Sequence, residues 1–380
     1  MKKTMRLCLI CTEKLPVPPI RGGAIQTYID GVLPHLRAAG HDVTVICRRD
    51  DDLPDAEPGF VRVDAPDPAA YAHNASKALT ENGPFDTVVI YNRPAFVPEM
   101  ATAAQSADLI LSMHNDMFGP DRLPADEARA VLRRVRKVVT ISDHVRRTIS
   151  SWHPGYEGKL RTIRSGVDLE QFHPAAPAER LAARRALGLP DDAPVVLHVS
   201  RLSQRKGNHL IVRAMAAVHD THPDAVLLMV GSSRYGSNHL ESYGQFVWDE
   251  ARRLLGAKAQ LCGFVPPSAL APYYAASDLF VCTSQWEEPL ARVHYEAMAA
   301  GLPIVTTDRG GNSEVMEEYG NGLIVRPPGS AAAFAGCVNV LLADPDLRRR
   351  LGARGRELAV ARYSWPRVAA ELLEVLEGRD

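Results

Sequence analysis

Long apolar runs are missing from this chain. No stretch approaches the ~20 consecutive apolar residues that a membrane-spanning helix needs, so no bilayer span is expected. An excess of charge of one sign is missing too, since 44 basic side chains stand against 45 acidic ones, a net charge of −1. A nucleic-acid-binding surface or an acidic tail would unbalance that sum, and neither is expected. The six cysteines follow no regular spacing. Cys8 and Cys11 form a C-x-x-C, but they lie in a strand-like run where residues three apart face opposite sides of a sheet. They read as small buried residues rather than a metal or redox pair. A G-x-x-x-x-G-K-[ST] loop is absent, and neither Gly-Gly loop completes the G-x-G-x-x-G of a dinucleotide-binding dehydrogenase. At the start, Glu13 and Lys14 end the apolar run too early for a signal-peptide core, so a cytoplasmic protein is expected.

The chain does hold an alternation of strand and helix signals. Short runs such as RLCLIC, HDVTVIC, DTVVIYN, DLILSMH and KVVTIS are apolar on both faces and are separated by helical periodicity. Buried strands spaced by helices predict a parallel sheet covered on both sides. Around residues 172–194 prolines crowd about one short helix, which reads as a linker. The alternation then restarts with PVVLHVS, AVLLMVG, AQLCGF, DLFVCTS, LPIVTT and GLIV. The expected class is α/β, with Rossmann-like domains over residues 1–175 and 176–363 and a C-terminal helix over 364–380. Ligands of such sheets bind at the carboxyl ends of the strands, and two facing sheets would leave a cleft between them.

Several loops carry residues suited to chemistry. HVSRLSQRKGNHL places Arg201 and Lys206 between a strand and a helix start. Two cations at the partial positive charge of a helix N-terminus suit a diphosphate, although a solvated basic loop has the same composition. Gly22 and Gly23 precede another helix, where backbone N–H groups can approach an anion, or simply make a tight turn. The stretch SQWEEPLARVHYEAMAAGLPIVTTDRGGNSEV places Glu288 and Glu296 with seven residues between them, Pro289 following the first. Pro289 predicts a helix from about Leu290 to Ala300 with Glu288 at its N-cap and Glu296 two turns down. Both carboxylates then either cap and solvate the helix, or bind the hydroxyl groups of a ligand.

At this point the chain resembles a known family. EEPLARVHYEAMAAGLPIVTT followed by GGNSEV resembles the E-P-F-G-x-x-x-x-E-A-M-A-x-G-x-P-V motif of the family 4 retaining glycosyltransferases. RGGAIQTYIDGVLPHLRAAGHDVTVI, RSGVDLEQFHP, VSRLSQRKGNHLIVRAM and LCGFVPPSALAPYYAASDLFVCTS are similar to that family's other segments, in the same order. The resemblance spans residues 6 to about 326. It implies a double-Rossmann GT-B fold and transfer of a sugar from a nucleotide-diphosphate donor with retained configuration. It implies no cofactor and no essential metal. By position, Arg201 and Lys206 would hold the diphosphate, together with Gly22 and Gly23 and the backbone of Leu290, Ala291 and Arg292. Glu288, Leu290 and Ala291 would meet the donor sugar. Glu296 would bind the ribose, and backbone groups at Gly263, Phe264 and Val265 would meet the base. His114 would lie by the donor sugar and acceptor. Acceptor candidates on the first domain's strand ends are Glu13, Asn92, Arg93, Asn115 and Asp116.

The sequence departs from the family pattern in places. Leu290-Ala291 replaces Phe-Gly, and Ser165 stands where many members have Asn. The branch resembles spore-coat polysaccharide and antibiotic-sugar transferases. The implied donor is a UDP-sugar such as UDP-GlcNAc or UDP-glucose, and the implied acceptor a small molecule or glycan. The C-terminal helix would cross back to the first domain. A hydrolysing nucleotide-sugar 2-epimerase, a phosphorylase or a non-catalytic sugar-nucleotide-binding relative on the same fold are the alternatives. Asp50, Asp51 and Asp52 contain a D-x-D, but a Pro- and acid-rich loop suits solvated aspartates better than a metal. The oligomeric state is open.

Overall fold

A computed structural model describes residues 4–316 and 320–379. The chain divides into two compact units: one holds the residues up to Gly166 together with the segment from Trp365 onward, the other Val167–Ser364.

The first unit is built on strands β1 (Arg6–Ile10), β2 (Asp42–Arg48), β3 (Phe60–Val63), β4 (Thr87–Tyr91), β5 (Asp108–Met113), β6 (Lys137–Thr140) and β7 (Leu160–Thr162). They form one parallel seven-stranded sheet in the order β3-β2-β1-β4-β5-β6-β7. β1 and β4 are buried along nearly their whole length because helices cover both faces. The C-terminal helix Trp365–Leu376 packs into this unit's core. Its Trp365 ring meets Tyr28 edge-on at 5.9 Å, and its Arg367 donates to the carbonyls of Arg164 at 2.8 Å and Ser165 at 3.1 Å.

The second unit contains β8 (Val195–Val199), β9 (Val226–Val230), β10 (Ala259–Leu261), β11 (Leu279–Val281), β12 (Ile304–Thr307) and β13 (Gly322–Val325). They form a parallel six-stranded sheet ordered β10-β9-β8-β11-β12-β13. Both sheets reverse strand order once, between β1 and β4 and between β8 and β11. At such a point two neighbouring loops leave the sheet in opposite directions and open a crevice. The loops after β8 and β11 carry Arg201, Lys206 and Glu288; those after β1 and β4 carry Glu13, Asn92 and Arg93.

Two sequence expectations need correction. The domain boundary falls at Gly166 rather than at 175. The proline-rich segment is not a free linker, because its helix Pro177–Ala186 is tied into the second unit. Arg184 there is buried and donates to the Ala276 carbonyl at 3.0 Å and to Asp278 at 2.9 Å. β3 and β7 were not legible as strands. Each is a short edge strand with half-buried positions, so neither shows a continuous apolar run. Among the described residues no helix is long and apolar enough to cross a membrane.

Candidate active site

After β8 the chain makes a short 3-10 turn, Gln204–Lys206, and enters helix Asn208–Val218. Asn208 is buried and shapes this loop from inside. Its Oδ1 accepts the Ser203 N–H at 3.0 Å, and its Nδ2 donates to Ser200 Oγ at 2.7 Å and His198 Nε2 at 3.0 Å. His198 Nδ1 donates to the Val281 carbonyl of β11 at 2.9 Å. Burial pushes His198 down to about 4, so the ring is neutral and its Nε2 is free to accept. The two loops are also joined directly. Thr283 Oγ1 donates to the Lys206 carbonyl at 2.7 Å, and the Gln285 N–H donates to the Arg205 carbonyl at 2.8 Å.

This stitching brings Lys206 Nζ to 2.5 Å from Glu288 Oε2. The same oxygen accepts Ser284 Oγ at 2.6 Å and Trp286 Nε1 at 2.8 Å. Burial alone would raise the Glu288 pKa, but the Lys206 ammonium and the two neutral donors outweigh it and hold the carboxyl below its ordinary value. Lys206 is likewise raised: burial opposes its charge and Glu288 more than restores it. All three bonds fall on Oε2, and Oε1 has no hydrogen-bond partner among the described residues. A carboxylate has capacity for about four such bonds, so Oε1 remains available to a hydroxyl donor.

The downstream Gly-Gly turn braces this carboxylate. The Gly311 N–H donates to the Glu288 carbonyl at 2.7 Å. Gly310 has a φ of 62°, and a Cβ there would lie 2.1 Å from the Glu288 carbonyl oxygen. Gly310→Ala is therefore expected to cost about 2–4 kcal/mol of stability and to displace Glu288, measured as a lower melting midpoint with lost donor turnover. An unchanged midpoint would show that the turn does not hold the glutamate.

The helix after Glu288 differs from the expectation. It spans Val293–Ala299 with Arg292 as its cap, so Glu288 is not an N-cap and Glu296 lies in the first turn. Residues 289–291 stay outside the helix, and the Ala291 N–H donates to Asn312 Oδ1 at 3.1 Å. That N–H is thus already committed, whereas a ligand contact was expected of it. Leu290 and Ala291 are buried. Glu296 accepts the buried Tyr274 hydroxyl at 2.8 Å and lies 3.8 Å from Arg292. Burial holds the Arg292 guanidinium below its ordinary value, with Glu296 opposing.

Arg201 is exposed, stacks on Tyr235 with 4.8 Å from guanidinium to ring, and has no carboxylate partner among the described residues. At residues 263–265 the Gly263 carbonyl accepts the Gly231 N–H at 2.7 Å, and the Phe264 N–H donates to Asn238 Oδ1 at 2.7 Å.

In the first unit, the Gly22 N–H is bound to the Pro19 carbonyl at 2.8 Å, and Gly23 caps helix Ala24–Ala38. Arg93 grips Glu13 with a two-pronged bond of 2.6 and 2.5 Å. Burial raises the Glu13 pKa and Arg93 more than reverses it. Asn92 Oδ1 accepts the N–H groups of His114 at 3.0 Å and Asn115 at 3.1 Å, and its Nδ2 donates to Asn115 Oδ1 at 2.8 Å. The His114 ring lies 5.0 Å from Tyr28 and its Nε2 is 3.2 Å from Ser112 Oγ. Asp116 is half-buried nearby in the chain. Asp50 and Asp52 of the D-x-D are both ion-paired with Arg21.

Ser284, Trp286, Asn208, Asn312 and Tyr274 were missed by sequence reasoning. They sit in irregular loops or act on a group far along the chain, and no periodicity marks such contacts.

Two doubly wound parallel sheets, with a lysine–glutamate ion pair at the second one's switch point, define a glycosyltransferase of the GT-B fold. Residues 22–171 match Glycosyltransferase Family 4, and residues 179–358 match Glycosyl transferases group 1. The chain belongs to glycosyltransferase family 4. It is 41% identical to the spore coat protein SA of Bacillus subtilis, over 98% of this chain and 99% of that one. It is 33% identical to the putative glycosyltransferase YtcC of the same organism, over 98% and 92%. Among solved structures, the sucrose-phosphate synthase of Thermosynechococcus elongatus superposes with a TM-score of 0.81 at 25% identity, covering 98% of each chain. Anabaena HepE in complex with UDP-glucose superposes with a TM-score of 0.80 at 21% identity, covering 98% and 100%.

Proposed function

We propose that this chain is a retaining glycosyltransferase that moves a sugar from a UDP-sugar to a hydroxyl of a cell-surface or spore polysaccharide. The observation that carries it is the Lys206–Glu288 pair: a partly buried cation fixed beside a buried carboxylate whose Oε1 has no hydrogen-bond partner among the described residues. Cleaving a glycosyl phosphate bond builds negative charge on the diphosphate. A preorganised cation is the largest single lever on that charge. Lys206 and Arg201 supply it, Lys206 from within the fold and Arg201 from its rim. Glu288 Oε1 accepts a donor-sugar hydroxyl, Glu296 takes the ribose hydroxyls, and His114 lies by the sugar and acceptor. The leaving phosphate takes the acceptor's proton on the same face, which retains configuration without a carboxylate nucleophile. Lys206 already neutralises Glu288, which fits a binding role better than a nucleophilic one.

The similarity to spore coat protein SA supports an acceptor at the spore or cell surface. An antibiotic such as a cationic aminoglycoside has less support, because Glu13, one of the two acids proposed to attract it with Asp116, is neutralised by Arg93. For the base, HepE is a UDP-glucose complex. A Corynebacterium glutamicum relative, 30% identical over 75% of this chain, is by contrast GDP-mannose-dependent. A melting panel with UDP, GDP, ADP and TDP separates them. A ligand at 100 times its Kd adds ~2.7 kcal/mol, enough to raise the midpoint by several degrees. The expected outcome is a rise with UDP that Arg201→Ala abolishes. No rise with any nucleotide, or the same rise in the variant, would remove the donor site from this place.

A further inference from the structure

Residues 232–241 follow β9 and close on themselves. Ser232 Oγ donates to the His239 carbonyl at 2.8 Å, Ser233 Oγ accepts the Glu241 N–H at 3.0 Å, and Arg234 pairs with Glu241 at 2.9 Å. A loop held by its own bonds does not need its remaining side chains for folding. Two of those side chains reach groups on other elements. Tyr235, 45% exposed, lies under the Arg201 guanidinium at 4.8 Å. Asn238 reaches the opposite end, where its Oδ1 takes the Phe264 N–H at 2.7 Å. The fit there is close: a Cβ on Gly263 would lie 2.4 Å from that Oδ1. The Phe264 carbonyl accepts no hydrogen bond among the described residues, so only half of this backbone edge is engaged.

One loop therefore engages two groups that a nucleotide donor would need, the Arg201 cation for the diphosphate and the backbone edge at 263–265 that the family resemblance implies for the base. We propose that residues 232–241 form a latch over the donor site, with Tyr235 and Asn238 standing where a nucleoside diphosphate must bind. The inference rests on that donor-site reading. Its chemistry is an exchange of like for like. A phosphate oxygen replaces the aromatic face on Arg201 with a stronger, charge-assisted bond. A base carbonyl replaces Asn238 Oδ1 as the acceptor of the Phe264 N–H, nearly without net gain. Only a ligand that carries both a base and a diphosphate opens both ends at once. A nucleoside or pyrophosphate alone opens one and leaves the other closed.

The test is calorimetric titration of the full chain, and of Asn238→Ala and Tyr235→Ala, with UDP, uridine and pyrophosphate. Each variant is expected to bind UDP about 2- to 10-fold more tightly, the size of one competing contact. Asn238→Ala should favour uridine selectively, and Tyr235→Ala pyrophosphate. Without any nucleotide, the Phe264 amide should lose hydrogen-exchange protection in Asn238→Ala alone. Weaker UDP binding in either variant, or unchanged affinity with unchanged Phe264 protection, would overturn the latch while leaving the donor site standing. If the parent chain and both variants bind none of the three probes, the donor-site reading falls together with the latch.

Discussion

Lys206→Ala is expected to lower kcat/KM for the donor by about 10³-fold, the upper end of what one preorganised group at a developing charge contributes. The loss exceeds that of a surface cation for a second reason. Glu288 is buried, Lys206 partly so, and the two share one short bond. Removing one partner strands the other, which costs about 3–5 kcal/mol. Glu288 keeps only Ser284 and Trp286 as donors, so its carboxyl rises and the melting midpoint falls. The two consequences come apart in a double variant. Lys206→Ala with Glu288→Gln removes the stranded charge, so the midpoint recovers, but turnover stays low because the diphosphate still lacks its cation. Turnover of Lys206→Ala within about threefold of the parent chain would sink the assignment. Recovery of turnover in the double variant would mean that Lys206 serves only to neutralise Glu288.

The contrast between Lys206 and its surroundings shows what the sequence could carry. Its position between an apolar strand and a helix start follows from periodicity, and so does that of Arg201. The strands themselves were legible wherever both faces are buried, as in β4, β5, β8 and β9. β3 and β7 were not, because edge strands bury less. The site was legible as a set of residue types and illegible as a set of bonds. That Glu288 turns one oxygen onto Lys206 depends on His198, Asn208 and Thr283 joining two loops that lie about 80 residues apart in the chain. The mistaken helix start at Leu290 has the same origin. Proline is common at the first helical position, but here the Asn312 side chain, from a later loop, takes the Ala291 N–H and the helix starts only at Val293. Long-range polar bonds to loop backbone leave no local pattern.

Those joining bonds predict how the second unit responds to acid. His198 and His294 are both fully buried, and burial pushes each from 6.5 down to about 4. His198 holds the Lys206 loop through Val281, Ser200 and Asn208. His294 bonds the Ala291 carbonyl at 3.1 Å and Thr306 Oγ1 at 2.8 Å. Each ring is neutral when folded and binds a proton more readily when unfolded. Stability from this source is therefore complete above pH 6.5 and is lost as pH falls toward 4. At 1.36 kcal/mol per unit, each ring accounts for roughly 3 kcal/mol over that span, and the pair for a large share of a typical ~5–15 kcal/mol. Glu288, whose folded pKa is depressed below 4.5, acts in a lower window. Its contribution is present above pH 4.5 and fades only as pH falls through the folded value. Between pH 6.5 and 4.5 the two histidines dominate among these groups. The urea midpoint is expected to fall markedly from pH 7.5 to 5, and donor turnover to fall with it, because both rings position the loops around Lys206 and Glu288. His198→Gln and His294→Gln keep an amide in place of the imidazole, and each should flatten part of that slope. A midpoint independent of pH in the parent chain would mean that these rings admit protons in the folded state and that their burial does not isolate the site.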